Sequence, residues 1–122
     1  EHCHKEPLFT DNSFRNNGLT LNTYLKDCGR MNITGEPEDS LKFRVPSLRN
    51  VSVTQPFMHD GRFYSLSEVV EHYRKGIQQS ATLDSSLRNG MEFSPKEKYD
   101  LILFLGTLKD TSFLKDKRFS QP

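Results

Sequence analysis

The chain has few cysteines, no excess of charge of either sign and no long hydrophobic run. Two cysteines, Cys3 and Cys28, exclude a scaffold held by several disulfides. They either pair or stand as unrelated thiols. Seventeen Lys and Arg face sixteen Asp and Glu, a net charge of +1. That balance excludes the basic footprint of a nucleic-acid or anionic-membrane binder. No run is apolar enough to span a bilayer, and no stretch reads as a signal peptide. Hydrophobic residues make up 34% of the 122 and charged residues 27%. The length fits one domain, residues 1–122, but its core should be thin. A thin core favours a bound cofactor, a partner domain or a large loop fraction. There is no internal repeat and no low-complexity segment.

The first half is rich in breakers: Gly18, Gly29, Gly35, Pro37, Pro46, Pro56 and Gly61. It reads as irregular chain with short helical turns, with a hint of a strand at Val51 and Val53. The second half is more regular. Ser65 and Glu68 make a capping box, Leu66, Val69, Val70 and Tyr73 follow at helical spacing, and Gly76 stands where a C-cap would. A second helix opens with Ser94 as N-cap, Pro95 at the first helical position and Glu97 closing the box. It carries Tyr99, Leu101, Ile102, Leu103, Phe104, Leu105 and Leu108. Being apolar nearly all round, it is expected to be the most buried helix. After Asp110, "TSFLKDKRFSQP" reads as an extended tail anchored by Phe113 and Phe119. The expected fold is all-α: a small helical domain with long ordered loops.

The chain opens Glu1, His2, Cys3, His4. A c-type haem is attached by Cys-x-x-Cys-His, two thiols for the vinyl groups and a His for the iron. These four residues fit the end of that motif if a Cys immediately precedes Glu1. A non-haem metal site on His2, Cys3 and His4 is the weaker reading, because three adjacent ligands rarely close a tetrahedral site.

The stretch "FRVPSLRNVSVTQPFMHDGRFYSLSEVVEHYRKG", residues 43–76, closely resembles the C-terminal haem domain of the bacterial di-haem cytochrome c peroxidase family, including its MauG branch. The supporting pieces run in the family's order: "LFTDNSFRNNGL", "GRMNITGEPED", "FRVPSLRNV", "PFMHDGRF", "SLSEVVEHY" and "EKYDLILFLGTLKD". Together they cover nearly the whole chain.

The resemblance implies a cytochrome c-like domain, the C-terminal half of a longer di-haem protein cut inside its haem motif. Cys3 would form a thioether and His4 the proximal iron bond. The distal ligand should come from the helix after "HDG". Met stands there in the peroxidase branch and Tyr in the MauG branch; Tyr73 is the matching position here. Met58, Met91 and His72 compete with it. Tyr73 also completes an apolar stripe, and a Met is more often a gap-filler than a ligand. His59 and Asp60 match the family's His–Asp pair, expected to be hydrogen-bonded near the haem edge, with Gly61 supplying the turn. Arg44 and Arg49 are candidates for the haem propionates, with surface ion pairs as the competing role. The backbone carbonyls of Thr54 and Pro56 match positions that help bind an interdomain calcium ion. Cys28 departs from the pattern, as a packed residue, a free thiol or a disulfide partner of Cys3. The family's inter-haem Trp belongs to the other domain, which agrees with the absence of Trp here.

The implied function is electron transfer. The C-terminal haem takes electrons from a small donor cytochrome and passes them to the peroxide-reducing haem of the N-terminal domain. The implied setting is periplasmic, with hydrogen peroxide as substrate and a homodimer at full length. This chain alone is expected to be inactive and haem-free. A stand-alone electron-transfer cytochrome and a MauG-like enzyme oxidising a protein side chain are the alternatives.

Overall fold

A computed structural model describes residues 2–119. The first half contains two two-residue strands, β1 (Phe14–Arg15) and β2 (Phe43–Arg44), paired antiparallel with Phe14 opposite Arg44. Between them lie a short helix α1 (Met31–Thr34) and a 3-10 turn, Pro37–Asp39. The ribbon amends the all-α expectation: the chain is helical with few strands. Val51–Val53, which hints at a strand in the sequence, is a 3-10 turn. It follows Asn50, whose left-handed backbone (φ 60°) ends any extension.

The capping box at Ser65 forms as expected. Glu68 N donates to Ser65 Oγ at 3.2 Å, and Ser65 N donates to the Glu68 carboxylate at 2.8 Å. Helix α2 (Leu66–Glu71) then runs into a single π-helical turn, His72–Gly76. Gly76 is not the left-handed C-cap that the spacing suggests. It closes the π turn, where a Cβ would lie 2.9 Å from His72 Nδ1, so a ring packs where a side chain would have been.

Helix α3 (Pro95–Thr107) starts with the expected Ser94–Glu97 box. It is not the most buried element. Only Leu105 is buried, while Tyr99 is 62% exposed and Leu103 52%. An all-round apolar helix needs cover on every side, and this chain supplies it on one. The tail folds back rather than extending. Asp110 caps α4 (Thr111–Leu114), Lys117–Phe119 make a 3-10 turn, and the Phe113 and Phe119 rings stand 5.0 Å apart. The end of the expected tail, residues 120–122, lies outside the described residues, as does Glu1 of the haem motif.

The core is thin, as the composition implies. Its buried hydrophobic residues are Leu19, Val45, Val70, Leu83, Leu87 and Leu105. A polar bolt supplements them. Asn16, 1% exposed, donates from Nδ2 to Ser80 Oγ (3.1 Å) and Thr82 Oγ1 (2.8 Å) and accepts from Gly18 N. Thr82 Oγ1 in turn donates to the Ser40 carbonyl at 2.7 Å. Satisfied polar groups of this kind fix loops that hydrophobic contact alone would leave loose. Among the described residues, no helix is long and apolar enough to cross a membrane.

Candidate functional site

The N-terminal segment is a closed loop. Asp11 N donates to the Cys3 carbonyl at 2.9 Å. Inside it, His4 Nδ1 lies 3.0 Å from the Phe9 carbonyl oxygen. A carbonyl only accepts, so Nδ1 carries the proton. Nε2 then holds the free lone pair, and it has no hydrogen-bond partner among the described residues. Fixing one ring nitrogen on a carbonyl to free the other is how proteins prepare a His for a metal.

Cys3 is half-buried and free, as is Cys28; no disulfide joins them. Burial pushes the Cys3 thiol above its ordinary value, against the opposing pull of Arg15. Arg15, on β1, is a hub. Its Nη1 donates to Asp84 (2.6 Å), Nη2 to Asp11 (2.8 Å) and Nε to Ser13 Oγ (2.7 Å). It thereby ties the Cys3 loop to the Ser85–Leu87 turn, which Asp84 caps.

The distal candidates converge on Asn17. Its side chain acts on the Tyr73 phenol, lowering its pKa, and its Nδ2 donates to Met58 Sδ at 3.4 Å. Its carbonyl accepts from His72 Nε2 at 3.0 Å. Tyr73 is half-buried; desolvation pushes its phenol above the ordinary value while Asn17 pulls it back, and it sits within electrostatic reach of Cys3. His72 spends Nε2 on the Asn17 carbonyl, so that nitrogen is not available as a ligand. Met91 meets this group through its backbone, donating to the Tyr73 carbonyl at 3.1 Å. Asn17 was not among the sequence candidates. Its only signal is the Asn-Asn-Gly run before Leu19.

The hydrogen-bonded His59–Asp60 pair does not form. The Asp60 carboxylate is claimed by Arg62, whose Nε and Nη2 approach it at 2.9 and 2.6 Å. A guanidinium fork two residues on matches a carboxylate better than an imidazole does. Arg62 also reaches the Thr20 hydroxyl and carbonyl, both at 2.8 Å. His59 stacks flat on Phe43, with ring centroids 3.6 Å apart. Gly61 does supply the turn, with φ 69° and its N–H on the Met58 carbonyl at 3.4 Å.

Arg44 is exposed and donates to Asn12 Oδ1 at 2.9 Å. Arg49 turns its fork onto the Pro7 carbonyl, with Nε at 3.2 Å and Nη2 at 2.9 Å. Thr54 and Pro56 are exposed, and their carbonyls accept no hydrogen bond among the described residues. A depression lined by Leu19, Arg62, Phe63, His72 and Gly76 does not include Cys3, His4 or Tyr73. Among the described residues, no three His, Cys, Asp or Glu side chains come together to hold a metal ion.

The donors are of types that haem iron and its attachment use, although the depression described above does not reach them. They are a thiol, an adjacent His with a free Nε2 in a fixed tautomer, and a half-buried phenol within electrostatic reach of the thiol. The fold on which these donors sit is that of a cytochrome-type helical domain. No family model matches the chain. It is 37% identical over 109 residues, 88% of its length, to the methylamine utilization protein MauG of Methylorubrum extorquens. It is 44% identical over 82 residues, 67% of its length, to the cytochrome-c peroxidase IdrP1 of a Pseudomonas species. It is 31% identical over 115 residues to the cytochrome c peroxidase Ccp of Escherichia coli. Its fold matches the crystal structure of a MauG-like protein associated with microbial copper homeostasis with a TM-score of 0.84. That match, at 34% identity, covers 99% of this chain and 42% of the other. The chain belongs to the family of MauG and di-haem cytochrome c peroxidases. It spans 30%, 21% and 22% of the lengths of the three sequence relatives.

Proposed function

We propose that this chain is the C-terminal, electron-transfer haem c domain of a di-haem peroxidase that works in the periplasm. The observation that carries the reading is His4, whose Nδ1 is fixed on the Phe9 carbonyl while Nε2 has no partner. In this reading Cys3 and a Cys preceding Glu1 hold the haem, and His4 Nε2 is the proximal ligand. Tyr73 is the distal ligand, with Met58 the competitor that shares Asn17. The bound haem supplies a one-electron carrier. The chain's own residues set its ligands and tie the attachment loop to the body through Arg15.

Arg44, exposed beside Asn12, is the arginine left free to meet a propionate. The open carbonyls of Thr54 and Pro56 suit a calcium ion completed by the N-terminal haem domain. Electrons would enter from a small donor cytochrome and leave for the peroxide-reducing haem of that domain, in a protein that is a homodimer at full length. A second reading, a MauG-like enzyme oxidising a protein side chain, is favoured by one observation: Tyr73, not a Met, stands at the position that matches the family's distal ligand.

The test is a rapid-mixing experiment on the reduced full-length protein. Hydrogen peroxide is expected to reoxidise the haem of this domain in step with peroxide loss. A haem that stays reduced while peroxide is consumed would remove the electron-relay role.

A further inference from the structure

We infer that the run Ser47-Leu48-Arg49 is a splint that sets the imidazole of His4, and that Arg49 is a positioning residue for that ligand rather than a partner of a haem propionate. The inference rests on the haem reading above.

Three successive carbonyls on the His4 loop are held by three successive residues of the run. Pro7 O accepts from the Arg49 fork at 3.2 and 2.9 Å. Leu8 O accepts from Ser47 Oγ at 2.6 Å. Phe9 O accepts from Leu48 N at 3.3 Å, on the same oxygen that His4 Nδ1 approaches at 3.0 Å. Both lone pairs of that carbonyl are thus used, one by the splint and one by the ligand. Phe9 lies in the left-handed region (φ 52°), a conformation its neighbours must impose. The splint is itself anchored. Asn50 N donates to the Leu108 carbonyl at 2.9 Å, Asp110 N donates to Asn50 Oδ1 at 2.6 Å, and the Phe9 ring stands edge-on to Phe104 at 6.4 Å. The His4 ring is therefore referenced, through four consecutive residues, to the C-terminal end of α3.

The consequence is electronic. An imidazole that donates from Nδ1 to a well-placed carbonyl is a stronger donor at Nε2 and favours ferric iron. Loosening the Phe9 carbonyl weakens that donation, so the midpoint potential of this haem rises. A role for Arg49 at a propionate has the opposite sign: removing a cation near the haem favours the ferric state and lowers the potential.

The experiment is a redox titration of this haem in the full-length, haem-loaded protein carrying Arg49→Met, Arg49→Lys, Ser47→Ala or, as a charge control, Lys96→Met on the exposed face of α3. Arg49→Met and Ser47→Ala are each expected to shift the ferric/ferrous balance about 3- to 10-fold toward ferrous, an upward move of roughly 30–60 mV. Arg49→Lys, which keeps the charge but not the fork, should fall between parent and Arg49→Met, and Lys96→Met should not move. A potential that falls or stays put in Arg49→Met, or that stays put in Ser47→Ala, overturns the splint. If the parent carries no covalent haem on Cys3, the proposed function fails on its own. The splint is then read in that same haem-free protein from the 15N resonances of the His4 ring. They should show the proton fixed on Nδ1 in the parent and shared between both nitrogens in Ser47→Ala; identical spectra overturn it. The same comparison serves where a variant does not load haem.

Discussion

Tyr73→Phe in the full-length protein is expected to change the ferric spectrum of one haem and leave the other alone. It should also raise the midpoint potential of the altered haem by about 59 mV or more, a tenfold shift toward ferrous. The reason is the donor. A phenolate oxygen is anionic and favours ferric iron, and axial ligand identity is a main lever on haem potential. The phenol is half-buried, beside the Asn17 side chain that lowers its pKa and within electrostatic reach of Cys3. Phe keeps the packing and removes only the oxygen. Met58→Ala is the paired variant, because Met58 Sδ shares the Asn17 amide. It should leave the spectrum unchanged. An unaltered spectrum in Tyr73→Phe, with a thioether-type near-infrared band lost in Met58→Ala, would move the ligand to Met58.

The second large effect is structural. Arg15→Met should destabilise the domain by about 2–3 kcal/mol at neutral pH, the cost of leaving a largely buried carboxylate without its charged donor. Asp84 is that carboxylate, with its side chain 10% exposed. Burial alone would raise its pKa, but hydrogen bonds from Ser86 and Arg15 outweigh burial and bring it down to about 2. Asp11 is held well below the usual carboxylate range by Ser13 and Arg15. The sign follows. A carboxylate with a depressed folded pKa contributes stability above its unfolded value, near pH 4, and loses it as pH falls toward the folded value. The parent should therefore weaken between about pH 4 and pH 2, and Arg15→Met should show a flatter curve in that window. Urea unfolding across this range checks both. A variant as stable as the parent at pH 7 would show that the hub is not what ties the Cys3 loop down.

The parts of the fold that were legible in the sequence are those whose partners are close along the chain. The capping boxes at Ser65 and Ser94 are reciprocal bonds over three residues, and they formed as read. Helix positions followed. Burial was not legible for α3: an apolar sequence states what a helix needs covered, not whether this chain covers it, and Tyr99 and Leu103 remain exposed. The His59–Asp60 pair failed for a related reason. Adjacent residues point in different directions, and Arg62 was geometrically better placed for the carboxylate.

Of the candidate site, Cys3, His4 and Tyr73 could be nominated because they fall at positions that match a family pattern. Asn17 and the splint could not. Asn17 matters through contacts with residues 41 and 55 positions away, and Ser47 and Arg49 through bonds to carbonyls 39 and 42 positions back. A carbonyl acceptor has no side-chain signature, so the residue types alone suggested a propionate or a surface ion pair for Arg49, not a backbone carbonyl. Gly76 shows the same limit, since its role is to admit the His72 ring rather than to end a helix.

The most direct measurement is peptide mass mapping of the full-length protein matured in a host that attaches c-type haem. The account predicts that the peptide containing Cys3 carries the mass of covalently bound haem. A peptide with Cys3 as an unmodified thiol would contradict it.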